Sequence, residues 1–265
     1  MAKRLSNAPV YYALAQAQFN PVAAMGKYVD EVQDRLRKSG YPLFEPQQHM
    51  QLQIMSGGQP VTQPQVAQTA SWLITKADRT SGFILTANAL TFHTTHYETS
   101  VEFIEEFLRG LNAVHDVVML EHVSRLGLRY LDAVLPTVGE SVDDYFAPGV
   151  HGISFGASQR YAMSESVFNT ECCPLVNAGT LVLRVLKATA TLGFPPDMIP
   201  NGLQPMSKFD MTVVRPHGII DTDHFVEGTM PLDFEKIREQ IFSLHSLVGI
   251  ASRAITTEHA RTIWA

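Results

Sequence analysis

The chain has 265 residues, 45% hydrophobic and 17% charged, with 26 acidic against 20 basic side chains and a formal net charge of −6. That composition excludes a disordered chain and provides no global basic footprint for nucleic acid or anionic membrane; it suits one large domain or two modest ones that fold without disulfides or metal. Two adjacent cysteines, Cys172 and Cys173, no apolar run of membrane-span length and a start lacking the apolar core of a signal peptide together predict a cytoplasmic protein.

Residues 9–19 alternate as a strand does. Asn20 as N-cap and Pro21 at the first helical position then predict a helix, with Val22, Met25, Val29, Val32 and Leu36 on its apolar face and Gly40 and Pro42 ending it. The Gln-rich stretch 43–70 predicts one strand around 50–55 and then a mobile excursion from Gly57 to Val66, whose Gly, Pro and Gln carry little core. Residues 72–77 and 82–94 read as two strands joined in a hairpin at 78–81. Thr99 with Glu102 forms a capping box, which opens a helix carrying Val101, Ile104, Leu108, Leu111 and Val118 along one side.

The second half repeats much of this order. Residues 122–135 are strand-like, and Ser141 with Asp144 is a capping box for a short helix. Residues 154–169 and 179–191 read as strands, and Pro195, Pro196, Pro200 and Pro205 mark a long loop. Residues 209–215 and 219–227 then pair around Pro216, His217 and Gly218. Asp233 caps the last helix, whose apolar face holds Phe234, Ile237, Ile241, Leu244, Val248, Ala251 and Ile255.

With no regular βαβ alternation, the expected class is α+β. The expected organisation is two similar halves, 1–120 and 121–265, each strand, helix, antiparallel strands, helix, packed as one globular unit. Joined edge to edge they would form one continuous sheet backed by helices, an element order that resembles the duplicated saddle of TATA-binding-like folds.

Three segments carry a second resemblance: Ala8-Pro9-Val10 with Phe19-Asn20-Pro21, the central run from Arg125 to Asp132 (RLGLRYLD), and Leu244-His245 followed by Ile255-Thr256. They resemble a sporadically distributed bacterial family of conserved hypothetical proteins, over nearly the full chain. The resemblance implies a bacterial cytoplasmic protein encoded by an accessory gene, and it transfers no catalytic residue.

On the 122–135 strand, a period of two places Arg125, Gly127 and Arg129 on one face and Leu126, Leu128 and Tyr130 on the other. Two forked guanidiniums flanking a glycine suit an anion or carboxylate ligand, and Arg125, Gly127, Arg129, Tyr130 and His93 are the candidate ligand-binding residues. The competing reading pairs each arginine internally with Asp132, Glu165 or Asp221. His93 and His96 face opposite sides of a strand unless the chain turns at Thr94-Thr95, Asp221, Asp223 and His224 lack a diagnostic metal spacing, and Cys172-Cys173-Pro174 reads as small buried residues at a strand end. His245 reads as a histidine hydrogen-bonded at a helix margin. No nucleophile elbow, P-loop or dinucleotide fingerprint is present, so neither a catalytic residue, a metal site nor a cofactor is expected.

The leading expectation is therefore a non-catalytic interaction protein with a protein partner, a homodimer among the options, in an accessory or defence-type system. The rivals are an enzyme or binder of an anionic compound using Arg125 and Arg129, with His93, His96 or Asp223 for acid–base work, and nucleic-acid binding on a concave sheet.

Overall fold

The computed structural model describes residues 7–56, 59–153, 155–156, 161–198 and 200–265, with the segment 49–69 described by its backbone only. Nine strands form one antiparallel sheet: β1 (Val10–Gln18), β2 (Leu43–Ser56), β3 (Gln59–Thr75), β4 (Ser81–Thr86), β5 (Ala89–Thr94), β6 (His122–Val134), β7 (Met163–Glu171), β8 (Ala178–Thr191) and β9 (Val214–Pro231). Their order is β2-β3-β4-β5-β1-β6-β9-β8-β7. Four helices accompany them: α1 (Met25–Lys38), α2 (Ser100–Val118), α3 (Phe234–Ile255) and α4 (Glu258–Trp264). The α+β class is thus established, and no described helix is long and apolar enough to cross a membrane.

The two halves of the chain meet where β1 pairs antiparallel with β6, Leu14 opposite Arg129 and Gln16 opposite Gly127. On the N-terminal side the order β1, β5, β4, β3, β2 follows, and on the C-terminal side β6, β9, β8, β7. The halves are not equal. Between β1 and β2 stands the 14-residue helix α1, whereas the stretch after β6 carries two short 3₁₀ turns, Val142–Tyr145 and Pro148–Val150.

One face of the sheet is covered by helices for the reason their periodicity gives. Met25, Val29, Val32 and Leu36 of α1, Phe103, Ile104, Phe107 and Leu111 of α2, and Ile237, Ile241, Leu244 and Val248 of α3 are buried in one cluster with Ala13, Ala15, Leu126 and Leu128 of the sheet. A second cluster on the C-terminal side joins Val134, Val185 and Ile220 to Tyr145, Phe146 and Trp264 of α4. The opposite face is roofed in part by the segment between β8 and β9. Leu192, Met198, Leu203 and Phe209 pack there on Tyr11, Tyr12, Leu131 and Ile219.

The caps behave as their chemistry dictates. Thr99 accepts from the Glu102 N–H, Asp233 from the Lys236 N–H, and Ser141 with Asp144 closes a full capping box.

Several expectations need correction. Helix α1 starts at Met25, not after Asn20, because the Phe19 and Val22 N–H groups bond to the Asn88 and Ala87 carbonyls and hold 19–22 against the β4–β5 turn. The stretch 82–94 is two strands, since Thr86 and Asn88 hydrogen-bond around a turn between β4 and β5. Residues 59–66, expected as an excursion, are drawn as part of β3 paired with β2, while Gly57 and Gly58 lie outside the described residues. Of the expected 154–169 strand only the part from Met163 is strand; Ser154 and 157–160 lie outside the described residues. No hairpin forms at Pro216: β9 runs straight through it, pairing Pro216 with Thr189. Proline is tolerated there because pairing with β6 begins only at Gly218, so at Pro216 the strand has one neighbour and its missing N–H breaks no second ladder. Helix α4, capped by Thr257, was not foreseen.

Candidate functional site

Arg125, Gly127 and Arg129 do share the face of β6 turned away from the helices, and His93 of β5 lies on the same face, opposite Leu14 as Arg129 is. They do not converge on a shared opening. Arg129 is buried and forks onto Asp221 of β9, Nε to Oδ1 at 2.7 Å and Nη2 to Oδ2 at 2.8 Å, while its Nη1 donates to Asp197 in the covering segment. Asp221 also accepts from Arg184 Nη1 at 3.3 Å, and Arg184 in turn holds Glu165 on β7. The Arg129 guanidinium is therefore consumed by carboxylates of this chain. Asp132, weighed as a partner for the arginines, cannot serve: its even position puts it on the helix face.

Arg125 stacks over the Phe225 ring at 4.2 Å and donates to Gln16 Oε1 at 3.3 Å, with Asp223 and Glu227 at 3.7 and 3.8 Å. Gly127 has a structural reason in this arrangement. A Cβ there would come within 3.0 Å of Phe225 Cβ and 3.3 Å of Arg125 Nη1, so glycine clears the space in which the stack forms.

His93 is fully buried; its Nδ1 shares a hydrogen bond of 3.0 Å with the Tyr12 hydroxyl. Burial pushes its pKa down to about 3, so it is neutral at physiological pH. Asp221 and Asp223 face away from the helices, whereas His224 bonds through Nδ1 to the Leu244 carbonyl of α3. Those three therefore share no site, and among the described residues no group of three or more His, Cys, Asp or Glu is placed to hold a metal ion. Cys172 is buried and Cys173 exposed, so only the first matches the expected buried residue.

Tyr130 belongs to another place altogether. On the helix face of β6 the row Leu128, Tyr130, Asp132, Val134 passes from the larger apolar cluster to the C-terminal one, and Asp132 sits at the seam between them. A cavity of about 370 Å³ opens at this seam. Pro9 and Val10 at the start of β1, Tyr97 before α2, Asp132, His245 of α3 and Trp264 of α4 contribute to its walls. Tyr97, Tyr130 and His245 meet edge to face, with centroids at 5.4 Å between the tyrosines and 5.8 Å from Tyr130 to His245, and the Tyr97 hydroxyl lies 3.4 Å from His245 Nε2.

The electrostatics of this cluster follow from burial. Desolvation pushes Tyr97 up to about 12, raises Tyr130 as well and lowers His245, so all three are neutral near pH 7. Desolvation alone raises the Asp132 carboxyl to about 7, and Asp132 Oδ1 is buried without a hydrogen-bond partner among the described residues. Sequence periodicity could place Asp132 on this face. Nothing local in sequence showed that helices from two distant segments leave a gap above it.

The chain matches no protein-family model, and no curated protein is similar to it.

Proposed function

We propose that this is a non-catalytic interaction protein that works through the outer edge of its sheet, and that the partner strand there is β7 of a second copy. One observation carries the reading: exposed apolar side chains concentrate at β7 and the segments beside it. Met163, Val167 and Phe168 are 51%, 60% and 48% exposed, and Ile153, Phe155 and Tyr161 are exposed in the segment that precedes the strand.

An edge strand presents unpaired backbone groups, and monomeric proteins guard such edges with proline, lysine or a bulge. The opposite edge, β2, carries Pro46. Strand β7 has no proline, lysine or register shift over its nine residues. Antiparallel self-pairing about its midpoint, Val167, sets Glu165 against Asn169 and Glu171 against Met163, so no like charges face each other across the two-fold axis. Glu165 is already tied to Arg184.

The same reading takes the two halves as a duplication, supported by their antiparallel junction at β1–β6 and by a long helix closing each half, and it places the chain in the sporadic bacterial family that its RLGLRYLD segment resembles, with an accessory or defence-type role. The rival anion site is weakened by the saturation of Arg129. A nucleic-acid groove is weakened by Asp221, Asp223, Glu165 and Glu227 on the very face it would use.

Light scattering after size exclusion, over a wide range of protein concentration, tests the proposal with Val167→Lys and Phe168→Glu as variants. A wild-type dimer that both substitutions convert to monomer at unchanged melting temperature supports it. A wild type that stays monomeric throughout, or a dimer indifferent to both changes, overturns it.

A further inference from the structure

The cavity beside Asp132 plays no part in the edge-strand reading, and it has the features of a ligand site. We propose that it binds a small organic amine, whose ammonium group pairs with Asp132 and whose apolar body fills the space between β1, α3 and α4.

The argument starts from the unpartnered acceptor. Asp132 is 9% exposed, and its Oδ1 is buried with no donor from the described residues. A buried carboxylate in that state costs several kcal/mol unless a donor or a cation reaches it. Asp132 lines the cavity, so a ligand seated there can bring a donor to its carboxyl group.

The surroundings favour a cation over an anion or a neutral donor. Around Asp132 stand Tyr97 and Glu98 ahead of α2, and Tyr130 of β6. From the helices come His245 and Arg253 of α3 and Arg261 of α4. The tyrosines and His245 are neutral, as their burial requires. Glu98 is a second carboxylate. Arg253 is exposed, and Arg261 spends its Nη1 on the Thr256 carbonyl, Thr256 Oγ1 and the Arg253 carbonyl. Among these groups none is a cation bonded to Asp132. An incoming ammonium would supply both the charge and the donors.

Shape agrees with this chemistry. The walls are mostly apolar, with aromatic surface from Tyr97 and Trp264, and a volume of about 370 Å³ lies at the small end of the range for ligand cavities. An amine with a short aliphatic or single-ring body fits that description, and a nucleotide does not.

Isothermal titration calorimetry with benzylamine, cyclohexylamine and isoamylamine tests the proposal, with benzyl alcohol and phenylacetate as neutral and anionic counterparts. Pairing with an ammonium requires Asp132 to be ionised. With its carboxyl near 7, the ionised fraction rises about tenfold between about pH 6 and pH 8, and amine affinity should rise by the same factor. Asp132→Asn keeps the side-chain shape and should abolish both the binding and its pH dependence. A second variant, Gly249→Leu, leaves Asp132 in place while filling the cavity from α3, and should block all the amines. The proposal fails if none of the three amines binds wild type at millimolar concentration, if Asp132→Asn binds them equally well, or if benzyl alcohol or phenylacetate binds as tightly as benzylamine.

Discussion

Replacing Arg129 by alanine removes the two hydrogen bonds, 2.7 and 2.8 Å, that hold the Asp221 carboxylate. The Asp221 side chain is 1% exposed, so water cannot take the place of the guanidinium. Breaking one side of a buried pair costs about 3–5 kcal/mol, because the remaining charge is stranded. Arg184 Nη1 remains 3.3 Å from Asp221 and offsets part of this, which puts the expected loss at about 3 kcal/mol. For a chain of this size that corresponds to a fall in melting temperature of about 6–12 °C. Urea unfolding should show the loss in the midpoint with an unchanged slope. The double variant Arg129→Met with Asp221→Leu should recover most of it, since an apolar pair of similar volume leaves no charge behind. Asp197→Ala should cost less than about 1 kcal/mol, as that carboxylate is 63% exposed. A loss below about 1 kcal/mol for Arg129→Ala, or a marked stabilisation of wild type by inorganic phosphate at matched ionic strength, would refute the internal-pair reasoning and return Arg129 to an external ligand.

The pH dependence of stability should contain two opposing slopes. Asp132 has its carboxyl raised to about 7, so the folded state holds a proton that the unfolded state has already lost, and stability falls as pH rises from about 4 to about 7. His93, lowered to about 3, works the other way: only the unfolded state takes up a proton, and stability falls as pH drops below about 6.5. Asp132→Asn should therefore steepen the loss in acid and raise stability at about pH 8, whereas His93→Gln should leave stability falling towards high pH; urea titrations that run parallel in all three proteins would contradict both assignments. Gly110→Ala in α2 should destabilise by about 1–3 kcal/mol despite better helix propensity, because its methyl would meet the buried Phe83 ring at 2.1 Å; Phe83→Leu should relieve it in denaturation midpoints. A thiol reagent should modify Cys173 in the native protein and reach Cys172, buried and with its thiol raised by desolvation, only on unfolding; two rapidly reacting thiols would contradict that burial.

What the sequence determined by itself was whatever repeats at short range. The stripes Met25–Val29–Val32–Leu36 and Ile237–Ile241–Leu244–Val248 announce their helices because a helix returns the same face every three or four residues. The caps at Thr99, Ser141 and Asp233 act within a few residues of themselves. Alternation on β6 likewise placed Arg125 and Arg129 together and Tyr130 opposite.

Tertiary structure decided the rest, because it turns on contacts that no local rule contains. Asp197 and Asp221 reach Arg129 across 68 and 92 residues of chain and tie it into an internal ion network. The start of α1 is set by carbonyls of Ala87 and Asn88, and Pro216 is tolerated because β6 ends its pairing with β9 at Gly218. Asp132 reads in sequence as one more polar position on a strand. Only the meeting of β1, α3 and α4 leaves its Oδ1 buried without a partner among the described residues and its side chain in a cavity wall, since burial is a property of what packs around a side chain and not of the side chain itself.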